Sequence, residues 1–306
     1  MLPPGIYLWE SGDQSLVSPS TTESISLTSP LWKREIERCG PWNDIVTVDG
    51  VGDFLQSSIV TDLTIVVCGK CSTTMEAIRA LEKNNILGEW GTLIAVEQSH
   101  GRGQLRRHWI SPPGNLHASA LLPATPKEGI WRGAMNDLLP LVCGYLLSDG
   151  LALAGAQTQI KWPNDLLQNN RKIGGILIEE QGGVDILGFG LNFVQSPPDA
   201  LMRENHSVSA AVLQTEFGSL GVLELWETLV NHSKRVYDFV LGELTPSQFR
   251  SALTNRLAWL GKQILVQEGD KEAYFAKVVG ISSRGGLKVC HAEGEGVLFS
   301  GSIAPL

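Results

Sequence analysis

The sequence lacks any long apolar run, and this absence excludes membrane-spanning proteins built on helices. No uninterrupted stretch approaches the roughly 18 apolar residues that a transmembrane helix requires. The best candidate, residues 130–153, is interrupted by Arg132, Asp137 and Asp149. The N-terminus also lacks a basic segment followed by an apolar one, so we expect no secretory signal. These features predict a cytoplasmic protein that does not bind membranes.

Cysteine and basic residues are scarce as well. Five cysteines are an odd number, which disfavours a disulfide framework. The one Cys68-x-x-Cys71 pair has no second pair to complete a zinc ribbon, and we interpret it as two ordinary reduced thiols rather than a redox motif. Lys and Arg number 24 against 32 Asp and Glu, and the net charge of −8 argues against a general nucleic-acid binder.

What is present indicates one large and one small globular domain. A length of 306 residues is sufficient for two cores, and 43% hydrophobic residues is ordinary for a soluble protein. Residues 1–60 are rich in Ser, Thr, Pro and Gly and hold eight acidic but only three basic residues. We assign them to an N-terminal extension of unknown role, with a short strand expected at residues 45–48.

From residue 61 onward, apolar strands and amphipathic helices are mixed, which predicts an α+β fold with helices packed on a mixed β-sheet. Helices are predicted at residues 131–147, kinked at Pro140, and at residues 222–241. Strands are predicted at residues 63–67, 91–97, 118–122, 158–162, 174–179 and 184–192. We place this domain at residues 61–250. After it, residues 255–306 hold four short strands with glycine-rich turns, which predict a small SH3-like β-barrel.

Residues 101–109 combine glycines and cations in one loop. Gly101 and Gly103 allow backbone amides to approach a ligand closely. Guanidinium groups suited to phosphate or carboxylate come from Arg102, Arg106 and Arg107. The loop matches neither a P-loop nor a dinucleotide fingerprint. Taken alone, it fits a phosphate site and a solvated basic loop equally well.

A second polar segment contains Lys161, Asn164, Asp165 and Lys172. A strand, a turn and a second strand would bring Asp165 close to Lys172. A carboxylate in that position can hold Mg²⁺ while the ammonium group neutralises an α-phosphate. A surface ion pair on a hairpin is the alternative interpretation.

Together these segments resemble the biotin–protein ligase (biotin–[acetyl-CoA-carboxylase] ligase) family. The resemblance rests on Gly-Arg-Gly-x-x-x-Arg-x-Trp at residues 101–109, Lys-Trp-Pro-Asn-Asp at 161–165 and Lys-x-Gly-Gly-Ile-Leu-x-Glu at 172–179. It covers residues 62–306 and implies a biotin/lipoate ligase-like core followed by an SH3-like domain. The implied reaction has two steps, in which biotin and ATP form biotinyl-5′-AMP and a lysine of a biotin carboxyl carrier domain then accepts the biotinyl group. The implied cofactor is Mg²⁺, supplied with ATP, and no tightly bound cofactor is expected.

The resemblance also implies a role for individual residues. The catalytic residues are Lys172, Asp165 and Arg102. The biotin-binding residues are Ser72, Thr73, Thr74, Gln98, Gly101, Arg102, Gly103, Lys172, Gly175 and Gly188. The residues that contact ATP or the adenylate are Arg102, Gln104, Arg107, Trp109, Asn164, Lys172, Gly190 and Asn192. Asp165 is the implied Mg²⁺ ligand.

The sequence departs from the family pattern at Gln104, Cys71 and Thr74. Gln104 stands where the family usually has an arginine that helps to hold the adenylate, so we expect the adenylate to be released more readily. Cys71 in place of Asp, and Thr74 in place of Asn, are milder departures. Ser72 and Thr73 also fit a purely structural role as helix caps.

Three other functions remain open on the sequence. One is a related lipoate or octanoate ligase-transferase, which the Lys-Trp-Pro-Asn-Asp and Gly-Arg-Gly motifs disfavour. Another is a bifunctional ligase and DNA-binding repressor with an N-terminal winged helix, which the acidic, weakly helical residues 1–60 disfavour. A non-catalytic biotin-binding protein is disfavoured by Lys172. The expected partners are a biotin carboxyl carrier protein or domain, with biotin and ATP as small-molecule ligands and a second copy of the chain in a homodimer. No nucleic acid is expected.

Overall fold

A computed structural model describes residues 1–12, 15–104, 107–201, 208–216 and 220–306. Arg106, one of the arginines of the glycine loop, therefore lies outside the described residues. The strands are β1 (Gly5–Ser11), β2 (Trp42–Val48), β3 (Gly52–Ser57), β4 (Thr64–Cys71), β5 (Thr92–Gln98), β6 (Leu116–Leu121), β7 (Gln159–Lys161), β8 (Asp165–Gln168), β9 (Arg171–Gln181), β10 (Val184–Leu191), β11 (Gln263–Gln267), β12 (Tyr274–Ile281), β13 (Leu287–His291), β14 (Gly294–Leu298) and β15 (Ser302–Pro305). The α-helices are α1 (Thr22–Ser26), α2 (Pro30–Cys39), α3 (Thr74–Lys83), α4 (Ala134–Leu153), α5 (Val222–Glu243) and α6 (Pro246–Thr254).

The chain divides into two compact units. The first unit consists of Met1–Ala124, Leu177–Gln195 and Phe217–Asn231. The second consists of Thr125–Ile176, Ser196–Glu216 and His232–Leu306. Strand β9 and helix α5 each contribute residues to both units. Within the described part of the chain, no helix combines the length and the apolar character needed to cross a bilayer.

The first unit is built on a mixed β-sheet, as the sequence predicts. Its seven complete strands are ordered β2-β3-β1-β4-β5-β6-β10. Strand β4 pairs in parallel with β1 and with β5, whereas β6 pairs antiparallel with β5 and β10. Buried side chains on β4, β5 and α3 form the core beneath the sheet. The coarse prediction of helices packed on a mixed sheet is confirmed.

Residues 1–60 contribute three strands to this sheet, which the sequence analysis largely missed. Ile6, Tyr7, Leu8 and Trp9 of β1 are each at most 1% exposed, and the Trp9 ring stacks on Phe54 with centroids 5.7 Å apart. The strand expected at residues 45–48 lies within β2. The four-residue apolar run at 6–9 was the available signal for β1. This segment is therefore built into the sheet of the first unit.

Helix α3 begins where the sequence predicts a hydroxyl cap. Thr73 is the N-cap, and its side chain accepts hydrogen bonds from the backbone N–H groups of Met75 and Glu76. Such a cap satisfies donors that have no partner within the helix. Met75, Ile78 and Leu81 recur at helical spacing and are buried, so one face of the helix packs into the core.

Helix α4 and the β7–β8 hairpin belong to the second unit. The predicted helix at 131–147 begins instead at Ala134 and extends to Leu153, passing through Pro140. Gly144 brings this helix close to the sheet, because an added Cβ would lie 3.6 Å from Ile160. Pro163 lies in the turn between β7 and β8, so it interrupts no ladder of hydrogen bonds.

The C-terminal residues form a separate antiparallel sheet in the second unit, with the order β14-β13-β12-β11-β15. The four strands that the sequence predicts, at residues 263–267, 274–281, 286–290 and 296–300, are all present within two residues of those bounds. The short strand β15, which pairs with β11, was not predicted. The sheet has β14 and β15 at its two edges, and the SH3-like barrel stays a prediction.

Candidate active site

In the first unit, a network of hydrogen bonds brings several predicted biotin-binding residues together. Gln98 ends β5, and its side-chain oxygen accepts a hydrogen bond of 2.8 Å from the backbone N–H of Thr74. Its amide nitrogen donates to the Ser111 hydroxyl, also at 2.8 Å. The hydroxyl of Thr74 accepts a 2.8 Å hydrogen bond from Ser119 on β6. Gln98 thus joins the start of α3 to the segment that follows the glycine loop.

The hydroxyls of Ser72 and Thr73 both have partners within the protein. Thr73 caps α3 and is 1% exposed, so its structural role is established by geometry. Ser72 donates to the Glu76 carboxylate at 2.7 Å. Contacts of these two side chains with biotin stay predictions. A ligand that reaches Ser72 must compete with Glu76.

The described parts of the glycine loop fold back on one another. The Gly103 N–H donates to the Arg107 carbonyl and the Trp109 N–H donates to the Gly101 carbonyl, each at 2.8 Å. Gly101 is required by its surroundings, since an added Cβ would lie 2.5 Å from the Ser111 hydroxyl and would collide with the Trp109 carbonyl oxygen. Gly103 has far more room, with the Arg107 carbonyl at 3.8 Å. Close packing against described residues therefore requires glycine at position 101 but not at position 103.

A cavity of about 410 Å³ lies beside this loop, a volume suited to a small ligand. Its lining includes Ser72, Glu76, His100, Arg102, Arg107 and His108. Arg102 forms an ion pair with Glu76. Burial raises the pKa of Glu76, but the Ser72 hydrogen bond and the charge of Arg102 outweigh it, so the pKa lies below its ordinary value. Glu76 was not singled out in the sequence, because only the folded loop brings Arg102 to it.

Two predicted site glycines on β10 have large side chains packed against them. An added Cβ at Gly190 would lie 2.6 Å from the indole nitrogen of Trp109, and one at Gly188 would lie 2.7 Å from the Met75 sulfur. These contacts give both glycines a packing role and place Trp109 over the strand. Asn192, directly after β10, is 2% exposed.

Asn115 organises the chain that follows β10. Its side-chain oxygen accepts hydrogen bonds from the backbone N–H groups of Phe193, Val194 and Gln195 at 3.0, 2.9 and 3.1 Å. Its amide nitrogen donates to the Gln195 carbonyl at 2.8 Å, and the residue is 2% exposed. One buried side chain thus fixes the segment that carries Asn192.

Replacing Asn115 by alanine should destabilise the protein by about 2–4 kcal/mol, because four hydrogen bonds made by one buried side chain would be lost. Chemical denaturation followed by circular dichroism measures this loss. Asn84→Ala is the matched control, since Asn84 is exposed and its side chain makes one hydrogen bond to the Ala80 carbonyl. A loss at Asn115 no larger than that at Asn84 would contradict the assignment.

In the second unit, Asp165 lies between two lysines. The Lys172 Nζ is 2.6 Å from Asp165 Oδ1 and the Lys161 Nζ is 3.0 Å from Asp165 Oδ2. The prediction that a strand, a turn and a strand bring Asp165 to Lys172 is confirmed. Two features of the strand pairing bring the three side chains together. Lys161 pairs directly with Asp165 across β7 and β8, and the register of β8 and β9 is irregular between Leu166 and Leu167.

This cluster is largely removed from water. The side chains of Lys161, Asp165 and Lys172 are 12%, 13% and 22% exposed. Burial raises the pKa of Asp165, but the charges and hydrogen bonds of Lys172 and Lys161 outweigh it and lower the pKa to about 2. The stabilisation from this depressed pKa is present above the ordinary value of 3.8 and is lost as the pH falls through about 2. Asp165 is therefore a carboxylate at neutral pH.

The backbone around the cluster is fixed on both sides. The Asn164 amide donates to the Ile176 carbonyl at 2.7 Å, and the Ile176 N–H donates to the Asn164 carbonyl at 2.9 Å. Lys172 donates its backbone N–H to the Ser209 carbonyl and accepts from the Ala211 N–H. Gly175 pairs with Asp165 across β8 and β9. The sequence analysis did not foresee the contact between residues 209–211 and Lys172.

The donor set at Asp165 does not fit a resident Mg²⁺ ion. Both carboxylate oxygens already accept hydrogen bonds from ammonium groups, whose positive charges would repel a cation. The described residues also contain no group of three or more side chains of the His, Cys, Asp or Glu type that could hold a metal. The geometry thus does not favour the predicted role of Asp165 as a magnesium ligand.

The chain matches a family model and several known proteins. Residues 71–192 match the model of the biotin/lipoate A/B protein ligase family. The biotin–[acetyl-CoA-carboxylase] ligase of Paracoccus denitrificans is 31% identical over 69% of this chain and 88% of its own length. The bifunctional ligase/repressor BirA of Bacillus subtilis (strain 168) is 30% identical over 76% of this chain and 71% of its own.

The fold agrees with these sequence matches. An R40G mutant of the biotin protein ligase from Aquifex aeolicus, solved in complex with biotin, superposes with a TM-score of 0.61 and 26% identity. The superposition covers 79% of this chain and 97% of that structure. Motifs, fold and relatives therefore agree that this chain belongs to the biotin–protein ligases of the biotin/lipoate A/B protein ligase family.

Proposed function

We propose that this protein forms biotinyl-5′-AMP from biotin and ATP and then transfers the biotinyl group to a lysine of a biotin carboxyl carrier domain. The observation that carries this proposal is the Lys172–Asp165 ion pair, which holds an ammonium group in a largely buried position. Of the relatives named above, the Paracoccus denitrificans protein is a biotin–[acetyl-CoA-carboxylase] ligase, and the R40G biotin protein ligase was solved with biotin.

Lys172 supplies charge to the first step. The biotin carboxylate oxygen attacks the α-phosphorus of ATP, and pyrophosphate leaves with the electron pair of the broken P–O bond. Negative charge grows on the α-phosphate oxygens, and an ammonium group held at a fixed point stabilises it best when water is excluded. Asp165 orients Lys172 for this task, and Mg²⁺ enters with ATP as part of the substrate.

Side chains at the start of α3 and at the end of β5 supply binding groups for biotin. We assign Ser72, Thr73, Thr74 and Gln98 to the polar end of biotin, since they offer hydroxyl and amide groups at the start of α3. The remaining biotin contacts are assigned to Gly101, Arg102, Gly103, Lys172, Gly175 and Gly188. The adenylate contacts are assigned to Arg102, Gln104, Arg107, Trp109, Asn164, Lys172, Gly190 and Asn192. In the second step, the neutral lysine amine of the carrier attacks the acyl carbon, the bond between that carbon and the phosphate oxygen breaks, AMP leaves with the electron pair, and the amine proton passes to solvent.

The proposal also covers the domains of the chain, its cellular location and its oligomeric state. We place the catalytic domain at residues 61–250 and an SH3-like domain at 255–306, the latter supported by the five-stranded antiparallel sheet that begins with β11. Residues 1–60 are a structural extension of the catalytic sheet, and their strands β1–β3 do not favour a winged helix or a DNA-binding role. We expect action in the cytoplasm, where ATP is available, and a homodimer stays a prediction.

Incubation with biotin, MgATP and a carrier domain tests the proposed function directly. We expect the mass of the carrier domain to rise by one biotinyl group, with no change when ATP is omitted or when the acceptor lysine is replaced by arginine. Lipoate and octanoate are supplied in parallel reactions. Modification by lipoate or octanoate but not by biotin would overturn the proposal in favour of the related transferases.

Replacing Gln104 by arginine should slow the release of biotinyl-AMP. Gln104 can donate hydrogen bonds but carries no charge, and a charge-assisted hydrogen bond is worth about 1.5–3 kcal/mol, or roughly tenfold to a hundredfold in the dissociation rate. Release is measured by chasing labelled adenylate with unlabelled adenylate. Gln263→Arg, in the exposed first position of β11, controls for the added charge. Equal release rates for wild type and Gln104→Arg would contradict the role of this position.

A further inference from the structure

Lys161 has no assigned role in the proposed reaction, yet it is the least exposed member of the Lys161–Asp165–Lys172 cluster. Its side chain is 12% exposed, compared with 22% for Lys172. It bonds one oxygen of Asp165 at 3.0 Å, and Lys172 bonds the other at 2.6 Å. One buried carboxylate is thus shared by two ammonium groups, of which the proposed chemistry uses only one.

The second lysine lowers the energetic cost of separating Lys172 from Asp165. When Lys172 turns toward the α-phosphate of ATP, its hydrogen bond to Asp165 weakens or breaks. A buried carboxylate without a partner is costly, and a single-lysine arrangement would therefore hold Lys172 back. With Lys161 in place, Asp165 keeps a counter-charge on its other oxygen throughout. The energetic resistance to releasing Lys172 falls accordingly.

The backbone that carries Lys161 is better anchored than a hairpin alone would be. Ile160, directly before it, donates its N–H to the Arg256 carbonyl at 2.8 Å and accepts from the Ala258 N–H at 2.9 Å. Trp162, directly after it, is 4% exposed and donates its indole N–H to the Gly285 carbonyl at 3.0 Å. Both neighbours of Lys161 are fixed, so its ammonium group is a stationary partner for Asp165.

We infer that Lys161 is a positioning residue for the adenylation step, acting through Asp165 to leave Lys172 available to the α-phosphate. This role rests on the proposed function and assigns Lys161 no contact with biotin or with the carrier. It predicts that Lys161 matters for the step in which charge grows on phosphate. It also predicts that the charge of Lys161, rather than its bulk, is what matters.

The test compares Lys161→Met, which keeps the length of the side chain without its charge, with Lys161→Arg, which keeps the charge. ATP–pyrophosphate exchange measures adenylation, and transfer from chemically prepared biotinyl-AMP to the carrier measures the second step alone. We expect Lys161→Met to lower kcat/KM for ATP in the exchange by about tenfold to a hundredfold, the scale of one charge-assisted hydrogen bond. The KM for biotin and the rate of transfer should stay near the wild-type values, and Lys161→Arg should recover most of the loss.

Lys33→Met is the matched control, because Lys33 also pairs with a carboxylate four residues later, but the side chains of Lys33 and Glu37 are both 63% exposed. Thermal melting of each variant separates a folding defect from a defect in adenylation. Unchanged exchange in Lys161→Met, or equal losses in adenylation and transfer, would overturn the inference. Wild-type protein that biotinylates no carrier would instead refute the proposed function, so the two failures are distinguishable.

Discussion

Replacing Lys172 by alanine should reduce the rate of ATP–pyrophosphate exchange by about two to three orders of magnitude, the cost of removing one oriented donor from a developing oxyanion. Biotin affinity, measured by calorimetry, should change far less, because most polar groups assigned to biotin lie on the start of α3 and on β5. Asp165 keeps Lys161 as a partner in this variant, so the protein should still fold.

Two further variants sharpen the Lys172 experiment. Lys172→Arg keeps a positive charge but changes its position, and should fall between wild type and alanine if orientation contributes to the rate. Lys262→Ala removes an exposed lysine of the second unit and should leave the exchange unchanged. Exchange within tenfold of wild type in Lys172→Ala would refute its assignment as the catalytic lysine.

Replacing Gly101 by alanine should disrupt the glycine loop and accelerate the release of biotinyl-AMP. The added Cβ would collide with the Trp109 carbonyl and lie 2.5 Å from the Ser111 hydroxyl. Ser111 also accepts the hydrogen bond of Gln98, so the displacement would reach the residues assigned to biotin. Overpacking of this kind costs about 1–3 kcal/mol. We therefore expect release to be roughly tenfold to a hundredfold faster.

Gly103→Ala provides the comparison within the same loop. Among the described residues, its Cβ would meet the Arg107 carbonyl, at an ordinary contact distance of 3.8 Å. We expect a clearly smaller increase in the release rate than for Gly101→Ala, measured by the same chase experiment. Equal effects of the two substitutions would contradict this prediction. They would show that the release rate of biotinyl-AMP depends on the composition of the loop and not on the close packing at Gly101.

Regular elements were predictable where a local pattern was strong. Helix α3 follows from a hydroxyl cap and buried residues at helical spacing, and β11 and β12 begin and end as expected. Strand β1 was missed because its apolar run is short and lies in a segment rich in Ser and Pro. Strand β15 has only four residues and depends on its pairing with β11. Such short strands are stabilised by partners distant in sequence, which no local pattern records.

In the candidate site too, local sequence patterns were predictable, whereas contacts between distant segments were not. The glycine loop and the lysine-containing motifs were visible as residue types at recognisable spacings. The ion pair of Arg102 with Glu76 and the hold of Asn115 on residues 193–195 were not, because both join segments that are far apart in the sequence. Asp165 was expected to bind Mg²⁺, whereas in the folded chain both of its oxygens face lysines.

The sequence by itself determined the chemical groups available to this protein, since an ammonium, a guanidinium or an amide keeps its character wherever it lies. It also determined the family, through motifs whose order and spacing are conspicuous. Only the tertiary structure decided that Lys161 and Lys172 share Asp165. That outcome depends on strand pairing and on an irregularity of register between Leu166 and Leu167, which determine the side chains that meet.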